Sequence, residues 1–328
     1  MTQSHEIRVG DCLDALRAMP DQSFHCCITS PPYFGLRDYG MAGQIGLEQT
    51  PAEFVTRLVE VFREVRRVLR DDGTLWVNMG DSYAGGGGGN YSKSVKQTGH
   101  GEHITNVRNR GSWLDSAGVK AKDLMGIPWR LAFALQDDGW YLRQDIIWHK
   151  PNPMPESVRD RCTKAHEYVF MLSKSPRYYY DHEAVKEDAV SDHPSGNGFK
   201  RDARESYKNL DGTARGNDEQ WTGVGGKRNR RSVWTVPTAG FKGAHFATFP
   251  PDLIRPCVLA GAPRGGLVLD PFGGAGTTAL VAMQEGRRSV LLELNPEYAS
   301  IARHRLASAW LEGAAQLDLL HDQKESVA

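Results

Sequence analysis

A glycine-rich segment in the last third of the sequence has the residue types of a nucleotide-binding turn. Residues 270–278 read D-P-F-G-G-A-G-T-T and separate a predicted strand (267–269) from a predicted helix (277–284). Glycine allows the backbone to approach a ligand closely, and the first turn of the following helix presents free N–H groups. Because α/β sheets bind nucleotides between a strand and the next helix, we predict a nucleotide-type ligand here.

Two ligand classes fit this segment. Gly274, Gly276 and Ala279 satisfy the dinucleotide pattern G-x-G-x-x-A, and Glu293, which ends the next predicted strand, could accept both hydroxyls of a ribose. S-adenosylmethionine carries the same ribose. Only about thirty residues follow Glu293, too few for the second βαβ half that a dinucleotide needs. Asp270 would repel a pyrophosphate but suits the ammonium group of a methionine moiety, so the sequence favours S-adenosylmethionine.

A second segment could hold a planar base. Residues 29–33 read T-S-P-P-Y directly after a predicted buried strand (24–28). Two adjacent prolines cannot continue a strand ladder, so a rigid loop is expected at the carboxyl end of that strand. Ser30 offers a side-chain oxygen, Pro31 a carbonyl oxygen and Tyr33 an exposed aromatic ring. Two acceptors and a ring could hold an exocyclic amine, although the segment alone is equally consistent with a plain rigid loop.

Alternating apolar patterns place these two segments in an α/β fold. Further strands are predicted at 7–9, 74–79, 145–148, 168–172 and 289–292, and further helices at 12–19, 52–69, 127–135 and from 296 toward 311. Strands that alternate with helices favour a parallel α/β sheet.

Two polar segments interrupt the alternation. Residues 84–122 include five consecutive glycines and carry six Lys/Arg against two Asp/Glu, and residues 200–231, inside the polar stretch 182–240, carry nine against five. Such segments are either solvated loops or nucleic-acid contacts, for which Trp113, Tyr207 and Trp221 could stack on bases.

Composition excludes several other classes. The 328 residues balance 40 Lys+Arg against 40 Asp+Glu, and 40% are hydrophobic, which is typical of a core-forming protein. We expect no membrane segment and no signal peptide, because no apolar stretch approaches about 18 residues. Five cysteines without a C-x-x-C pair predict neither a disulfide framework nor a zinc site. A cytoplasmic, metal-free protein is expected, and any nucleic-acid contact must come from local basic patches.

The order of the motifs resembles that of the DNA amino-methyltransferases of the permuted β group. That order is G-D-C (10–12), T-S-P-P-Y, a basic middle region, H-F-A-T-F-P-P-D-L-I (245–254), D-P-F-G-G-A-G-T-T and L-L-E-L-N-P-E-Y (291–298). W-H-K-P (148–151) and H-E-Y (166–168) are further marks of the resemblance. It covers roughly 7–80, 125–180 and 244–310. These enzymes methylate exocyclic amines with S-adenosylmethionine.

The resemblance implies a Rossmann-like α/β methyltransferase fold, with a largely parallel central sheet in circularly permuted order. Residues 1–181 would form the catalytic half, with 84–122 as a basic insertion. Residues 182–240 would form a small irregular target-recognition region, and 241–328 the S-adenosylmethionine-binding half.

The resemblance also implies roles for individual residues. Ser30, Pro31 and Tyr33 would clamp the base amine, and Pro32 would stiffen their loop. The implied cofactor contacts are Asp270, Phe272, Gly274, Gly276 and Thr277 at the methionine end, Glu293 at the ribose, Asp11 near the adenine, and Thr248 and Phe249 packed against the cofactor. For Phe249, plain core packing is an equal alternative. The expected DNA phosphate contacts are Arg201, Arg204, Lys227, Arg228, Arg230 and Arg231.

In this family, serine at the first position of the S-P-P-Y motif usually accompanies cytosine N4 methylation, and aspartate or asparagine accompanies adenine N6 methylation. We therefore predict methylation of cytosine N4 in double-stranded DNA, with adenine N6 as the alternative, and the target base must leave the stack. A homodimer and a separate restriction endonuclease are the expected partners. A dinucleotide-dependent oxidoreductase and a non-catalytic DNA-binding protein are the alternatives from other classes.

Overall fold

The computed structural model describes residues 4–36, 38–84, 118–188, 227–238 and 249–325, without the side chains of 312–325. The chain divides into two compact units: unit 1 is Met1–Asp181 with Ser232–Ala328, and unit 2 is His182–Arg231. Three predicted site residues, Thr248, Arg201 and Arg204, lie outside the described residues, as does most of the 84–122 insertion.

The described strands form one large sheet in unit 1 and one small ribbon in unit 2. In chain order they are β1 (His5–Val9), β2 (Phe24–Thr29), β3 (Leu69–Met79), β4 (Tyr141–His149), β5 (His166–Ser173), β6 (Glu187–Asp188), β7 (Lys227–Arg228), β8 (Val233–Thr235), β9 (Leu267–Asp270) and β10 (Arg288–Glu293). The large sheet has the order β1-β10-β9-β2-β3-β5-β4-β8, and β6 pairs antiparallel with β7. The predicted recognition region 182–240 thus spans unit 2 and β8, which pairs with β4 in the large sheet.

The sheet is largely parallel, as predicted, but one strand reverses. β5 runs antiparallel to both β3 and β4, whereas all other neighbouring pairs are parallel. The antiparallel β5 is an exception that the alternation of predicted strands and helices did not indicate. Residues 150–165 connect β4 to β5 without a helix, and a connection without a crossover returns the chain antiparallel.

Along the described parts of the chain, helices occur between strands of the large sheet and after its last strand. They are α1 (Cys12–Arg17), α2 (Pro51–Val68), α3 (Ile127–Asp137), α4 (Pro251–Gly261), α5 (Thr277–Gln284) and α6 (Pro296–Glu325). None of these helices, as far as the chain is described, has the length and apolar character needed to cross a membrane.

Helix α2 illustrates how local sequence defines an element. Thr50 and Glu53 form a reciprocal capping box at its first turn, which satisfies backbone N–H groups that have no helical partner. Phe54, Leu58 and Phe62 recur on one face and are fully buried in the core. Burial of each such side chain contributes roughly 1.5–3 kcal/mol, so the apolar face fixes this helix against the sheet.

The centre of the sheet joins the two ends of the chain. β9 lies beside β2, with Cys26 opposite Val268 and Cys27 opposite Leu269. The D-P-F-G-G-A-G-T-T turn follows β9 and the T-S-P-P-Y loop follows β2, so both leave the same edge of the sheet side by side. In open α/β sheets, ligands bind at such a point, outside the carboxyl ends of two central strands.

Candidate active site

A cavity of about 650 Å³ opens at the carboxyl ends of β9 and β2. Eleven of the predicted catalytic and cofactor residues line it: Asp11, Ser30, Pro31, Pro32, Tyr33, Phe249, Asp270, Phe272, Gly274, Thr277 and Glu293. Gly276 is not among the lining residues. Its φ is +79°, and a Cβ there would lie 2.8 Å from the Ala302 Cβ, so glycine permits the turn to pack closely against α6. The cavity therefore unites two motifs that are more than two hundred residues apart in sequence.

The Asp270 carboxylate ties the two motifs together. Its Oδ1 accepts hydrogen bonds from the Thr29 hydroxyl at 2.6 Å and the Phe272 amide at 3.1 Å, and its Oδ2 accepts one from the Thr278 hydroxyl at 2.6 Å. Burial raises the pKa of Asp270 to about 6, and these hydrogen bonds act in the opposite direction. The residue predicted to face an ammonium group thus also fixes the end of β2 to the turn after β9.

Glu293 organises the neighbouring turn in the same way. Its Oε2 accepts from the Gly274 amide at 2.7 Å and its Oε1 from the Asn295 amide at 2.8 Å. Burial raises the pKa of Glu293, opposed by these backbone hydrogen bonds. Each carboxylate oxygen can accept about two hydrogen bonds, so acceptor capacity remains for two ribose hydroxyls.

Asp11 and Phe249 border the same cavity. Asp11 is the N-cap of α1, where its Oδ1 accepts from the Leu13 amide at 2.8 Å and the Asp14 amide at 3.1 Å. The Gly10 amide donates to the Glu293 carbonyl at 2.9 Å, which fixes this loop beside the end of β10. Asp11 therefore has a structural duty in addition to the predicted contact near an adenine.

Tyr33 is more enclosed than the sequence suggested. Its ring is partly buried, and its hydroxyl donates to Glu167 Oε2 at 2.7 Å. Burial, followed by the Glu167 charge, raises the pKa of Tyr33 well above its ordinary value. The expectation of an exposed ring is wrong because the hydroxyl is anchored in the interior, which leaves the ring as part of the cavity wall.

The sequence analysis did not identify a polar network around Glu167, the residue that accepts from the Tyr33 hydroxyl. Lys150 forms an ion pair with Glu167 Oε1, and the Asn78 amide donates to Glu167 Oε2 at 3.2 Å. The Lys150 ammonium also lies 4.3 Å from the centroid of the Trp148 ring. Lys150 and Glu167 occur within the W-H-K-P and H-E-Y segments, yet a parallel β5 would have placed Glu167 at the opposite edge of the sheet. The reversal of β5 brings it to the cavity.

The predicted DNA contacts that are described lie in unit 2. Arg228 Nε and Arg231 Nε donate to the same Glu187 oxygen, at 2.9 and 2.6 Å, across the β6–β7 ribbon and its continuation. Lys227 is an exposed residue of β7, and Arg230 lies between Arg228 and Arg231. Arg228 and Arg231, both predicted phosphate contacts, are therefore engaged by a carboxylate in this conformation.

Comparisons with known proteins agree with this geometry. Residues 24–304 match the N6/N4-type DNA methylase family model. The chain is 51% identical over 298 residues to the Type II methyltransferase M.Cfr9I of Citrobacter freundii, covering 90% of this chain and 86% of that protein. It is 47% identical over 304 residues to the Type II methyltransferase M.SmaI of Serratia marcescens, covering 93% of this chain and 91% of that protein.

Solved structures share the fold. The cytosine-N4-specific PvuII DNA methyltransferase superposes with a TM-score of 0.60 and 21% identity, covering 93% of this chain and 87% of that one. A putative DNA modification methylase from Thermus thermophilus, solved with S-adenosyl-L-methionine, gives a TM-score of 0.57 and 24% identity, covering 93% and 95%. These findings confirm the resemblance and set aside the dinucleotide-dependent oxidoreductase. The chain therefore belongs to the N6/N4 family of DNA methylases.

Proposed function

We propose that this protein transfers a methyl group from S-adenosylmethionine to the exocyclic N4 amine of a cytosine flipped out of double-stranded DNA. The observation that carries the proposal is that the Ser30–Tyr33 loop lines the same cavity as Glu293 and the glycine-rich turn that begins at Asp270. Its volume lies within the range of about 300–1,000 Å³ that is usual for small-molecule sites.

The residues present fit S-adenosylmethionine. Glu293 offers carboxylate oxygens to a ribose, and the buried Asp270 offers negative charge near the position expected for the ammonium group. Phe249 and Phe272 supply apolar surface on the cavity wall. When bound, the cofactor supplies a methyl group on a sulfonium centre, and transfer leaves a neutral thioether and releases one amine proton. A neighbour of the same fold was solved with this cofactor, which supports the proposal.

Ser30 and the Pro31 carbonyl are proposed to accept the two hydrogens of the target amine. Both residues line the cavity beside Tyr33, whose ring is placed to contact the face of the base. Serine at this position favours cytosine over adenine, and the PvuII DNA methyltransferase, which shares the fold with a TM-score of 0.60, is cytosine-N4-specific. Adenine N6 is the alternative within the same fold.

The DNA itself is proposed to bind the basic residues of the 182–240 region. Backbone phosphates would contact the arginines and Lys227, and polar side chains would read base edges. Because its relatives are Type II methyltransferases, we propose that the enzyme acts alongside a separate restriction endonuclease. A cytoplasmic location and a homodimer are further parts of the proposal.

Nucleoside analysis tests the proposal. DNA co-expressed with the enzyme would be digested and its modified nucleosides quantified by mass spectrometry, with Ser30→Ala as the matched inactive control. N4-methylcytosine that disappears in Ser30→Ala is the expected result. N6-methyladenine would retain the enzyme class but contradict the assignment of cytosine as the target base. If neither modified nucleoside is found, the proposal that this chain methylates DNA is contradicted.

A further inference from the structure

Arg305 of helix α6 contacts the glycine-rich turn without lining the cavity itself. Its Nη1 donates to the Thr277 hydroxyl at 2.8 Å and to the Ala275 carbonyl at 3.2 Å. Ala302, three residues earlier on the same side of α6, packs against Gly276, where a Cβ would lie 2.8 Å from the Ala302 Cβ. Ala275 and Thr277 line the cavity, whereas Arg305 does not. A half-buried arginine therefore reaches the cavity wall from the side of α6.

The direction of the hydrogen bond between Arg305 and Thr277 follows from the chemistry of the two groups. A guanidinium group has N–H donors and no acceptor, so the Thr277 oxygen accepts. A threonine hydroxyl has one hydrogen, and this bond leaves that hydrogen available for another acceptor. Among the residues that the structure describes, no other hydrogen bond involves the Thr277 hydroxyl. A residue of the cavity wall thus retains a hydrogen to donate.

The two charged groups of a methionine moiety differ in whether they can accept that hydrogen. The ammonium group has only N–H donors, whereas the carboxylate has only acceptor oxygens, so the Thr277 hydrogen suits the carboxylate. The charge of Arg305 acts in the same direction, because a guanidinium attracts a carboxylate and repels an ammonium. With Asp270 proposed for the ammonium, the glycine-rich turn offers a complementary group to each end of the amino acid.

We propose that Arg305 is a positioning residue that, by donating to the Thr277 oxygen, directs the Thr277 hydroxyl hydrogen to the carboxylate of bound S-adenosylmethionine. This inference rests on the cofactor of the proposed function and is independent of which base is methylated. Without Arg305, the Thr277 hydroxyl would be free to rotate, and its hydrogen would no longer be held in one direction. Arg305 therefore favours a ligand that carries a carboxylate, although it does not itself line the cavity.

Calorimetric titration with two ligands tests the inference. S-adenosylmethionine is compared with decarboxylated S-adenosylmethionine, which keeps the nucleoside, the sulfonium and the ammonium but has no carboxylate. Thr277→Val should weaken binding of S-adenosylmethionine by roughly 10- to 100-fold, the loss expected for one hydrogen bond to a charged group. Arg305→Met should weaken it by about 3- to 30-fold. Both variants should bind the decarboxylated ligand within about twofold of wild type, because that ligand has no carboxylate to lose a hydrogen bond.

The double variant separates an effect through Thr277 from an independent one. In the Thr277→Val background, Arg305→Met should weaken binding of S-adenosylmethionine clearly less than it does in the wild type, because no hydroxyl remains to be directed. Arg303→Met is the matched control. Arg303 also lies on α6 and donates to a backbone carbonyl, but this is Ile7 of β1, at 2.9 Å, and not the glycine-rich turn. Arg303→Met should leave both affinities close to wild type.

Two results would overturn the inference. Equal losses for both ligands in Arg305→Met would mean that Arg305 only supports the fold of the turn, and fully additive losses in the double variant would mean that it acts independently of Thr277. If Arg305→Met does not fold, Arg305→Gln, which is shorter and also uncharged, should show the same selective loss. Failure of the wild type to bind S-adenosylmethionine would instead contradict the cofactor of the proposed function, so the two failures are distinguishable.

Discussion

At the scale of single residues, the acidic groups that line the cavity stabilise the fold through hydrogen bonds, in addition to the ligand contacts proposed for them. Asp270 accepts from residues on β2, the glycine turn and α5, and Glu293 accepts from the amides of Gly274 and Asn295. Residue type and spacing selected both carboxylates from the sequence. The hydrogen bond between Asp270 and Thr29 could not be predicted, because it depends on the register between β2 and β9.

The raised pKa of Asp270 predicts a particular dependence of stability on pH. Its pKa of about 6 in the folded protein lies above the roughly 3.9 of an unfolded aspartate. The folded state therefore binds the proton more tightly, and Asp270 contributes stability below about pH 4 that is lost as the pH rises through 6. Asp270→Asn removes the titrating group and should lose this dependence. Between pH 4 and pH 7, the free energy of unfolding of the variant should therefore rise by roughly 1–3 kcal/mol relative to that of the wild type. Denaturant unfolding of both proteins at pH 4 and pH 7 measures this change. If the free energies of unfolding of variant and wild type change equally with pH, the raised pKa of Asp270 is contradicted.

Glu293→Gln tests the proposed ribose contact. A glutamine cannot accept from both the Gly274 and Asn295 amides, because one side-chain atom becomes a donor. Affinity for S-adenosylmethionine should fall by about 1–3 kcal/mol, measured by calorimetry, with Glu285→Gln as the control. Unchanged affinity would show that the ribose binds elsewhere.

At the scale of elements, most predicted helices and strands of unit 1 are confirmed, and α5 has the predicted bounds of 277–284. Predictions fail where tertiary contacts decide. The strand predicted at 74–79 begins at Leu69, directly after α2, because residues 69–73 extend alongside β2 through an irregular register. The direction of β5 has no signal in its own apolar pattern, since a buried strand reads alike in both directions.

The junction of the glycine turn with α6 predicts the effect of one methyl group. Gly276→Ala adds backbone strain at φ +79° and places a Cβ 2.8 Å from the Ala302 Cβ. Gly265→Ala is a matched control, since Gly265 has φ +74° with nothing within 4 Å of its Cβ position. Backbone strain alone should lower the free energy of unfolding by roughly 1–2 kcal/mol in Gly265→Ala. Gly276→Ala should lower it clearly more, as measured by thermal unfolding. Equal losses would mean that α6 moves aside freely.

The ribbon of unit 2 predicts an effect on DNA binding. Glu187 holds Arg228 and Arg231, two proposed phosphate contacts, through one oxygen. Glu187→Gln should leave more positive charge for phosphates, so affinity for unmethylated DNA should rise at low salt and fall more steeply as salt is added. Fluorescence anisotropy across a salt series measures this, with Glu183→Gln, which loses an ion pair to Lys186, as the control. An identical salt slope would remove these arginines from the DNA contact.

At the scale of the whole molecule, the family resemblance implied the permuted order of the sheet, and the structure has that order. The permuted order places β9 and β10 between β1 and β2, so motifs from opposite ends of the chain share one sheet edge. The content of the cavity beyond those motifs was less predictable. Asn78 lies on β3, Glu167 on β5, and Lys150 directly follows β4, and the neighbours and directions of these strands emerge only in the folded sheet.

The antiparallel pair β4–β5 has a consequence for how such enzymes can change their substrates. The pair is local in sequence, and its ends bring Lys150 and Glu167 to the cavity wall, while Asp270 at the end of β9 and Glu293 at the end of β10 line the cavity as well. If the proposed function holds, exchanging residues 141–173 for those of a relative would alter the part of the cavity proposed to hold the base and leave the glycine turn unaltered. The choice of base could then change through the exchange of one contiguous segment of the chain.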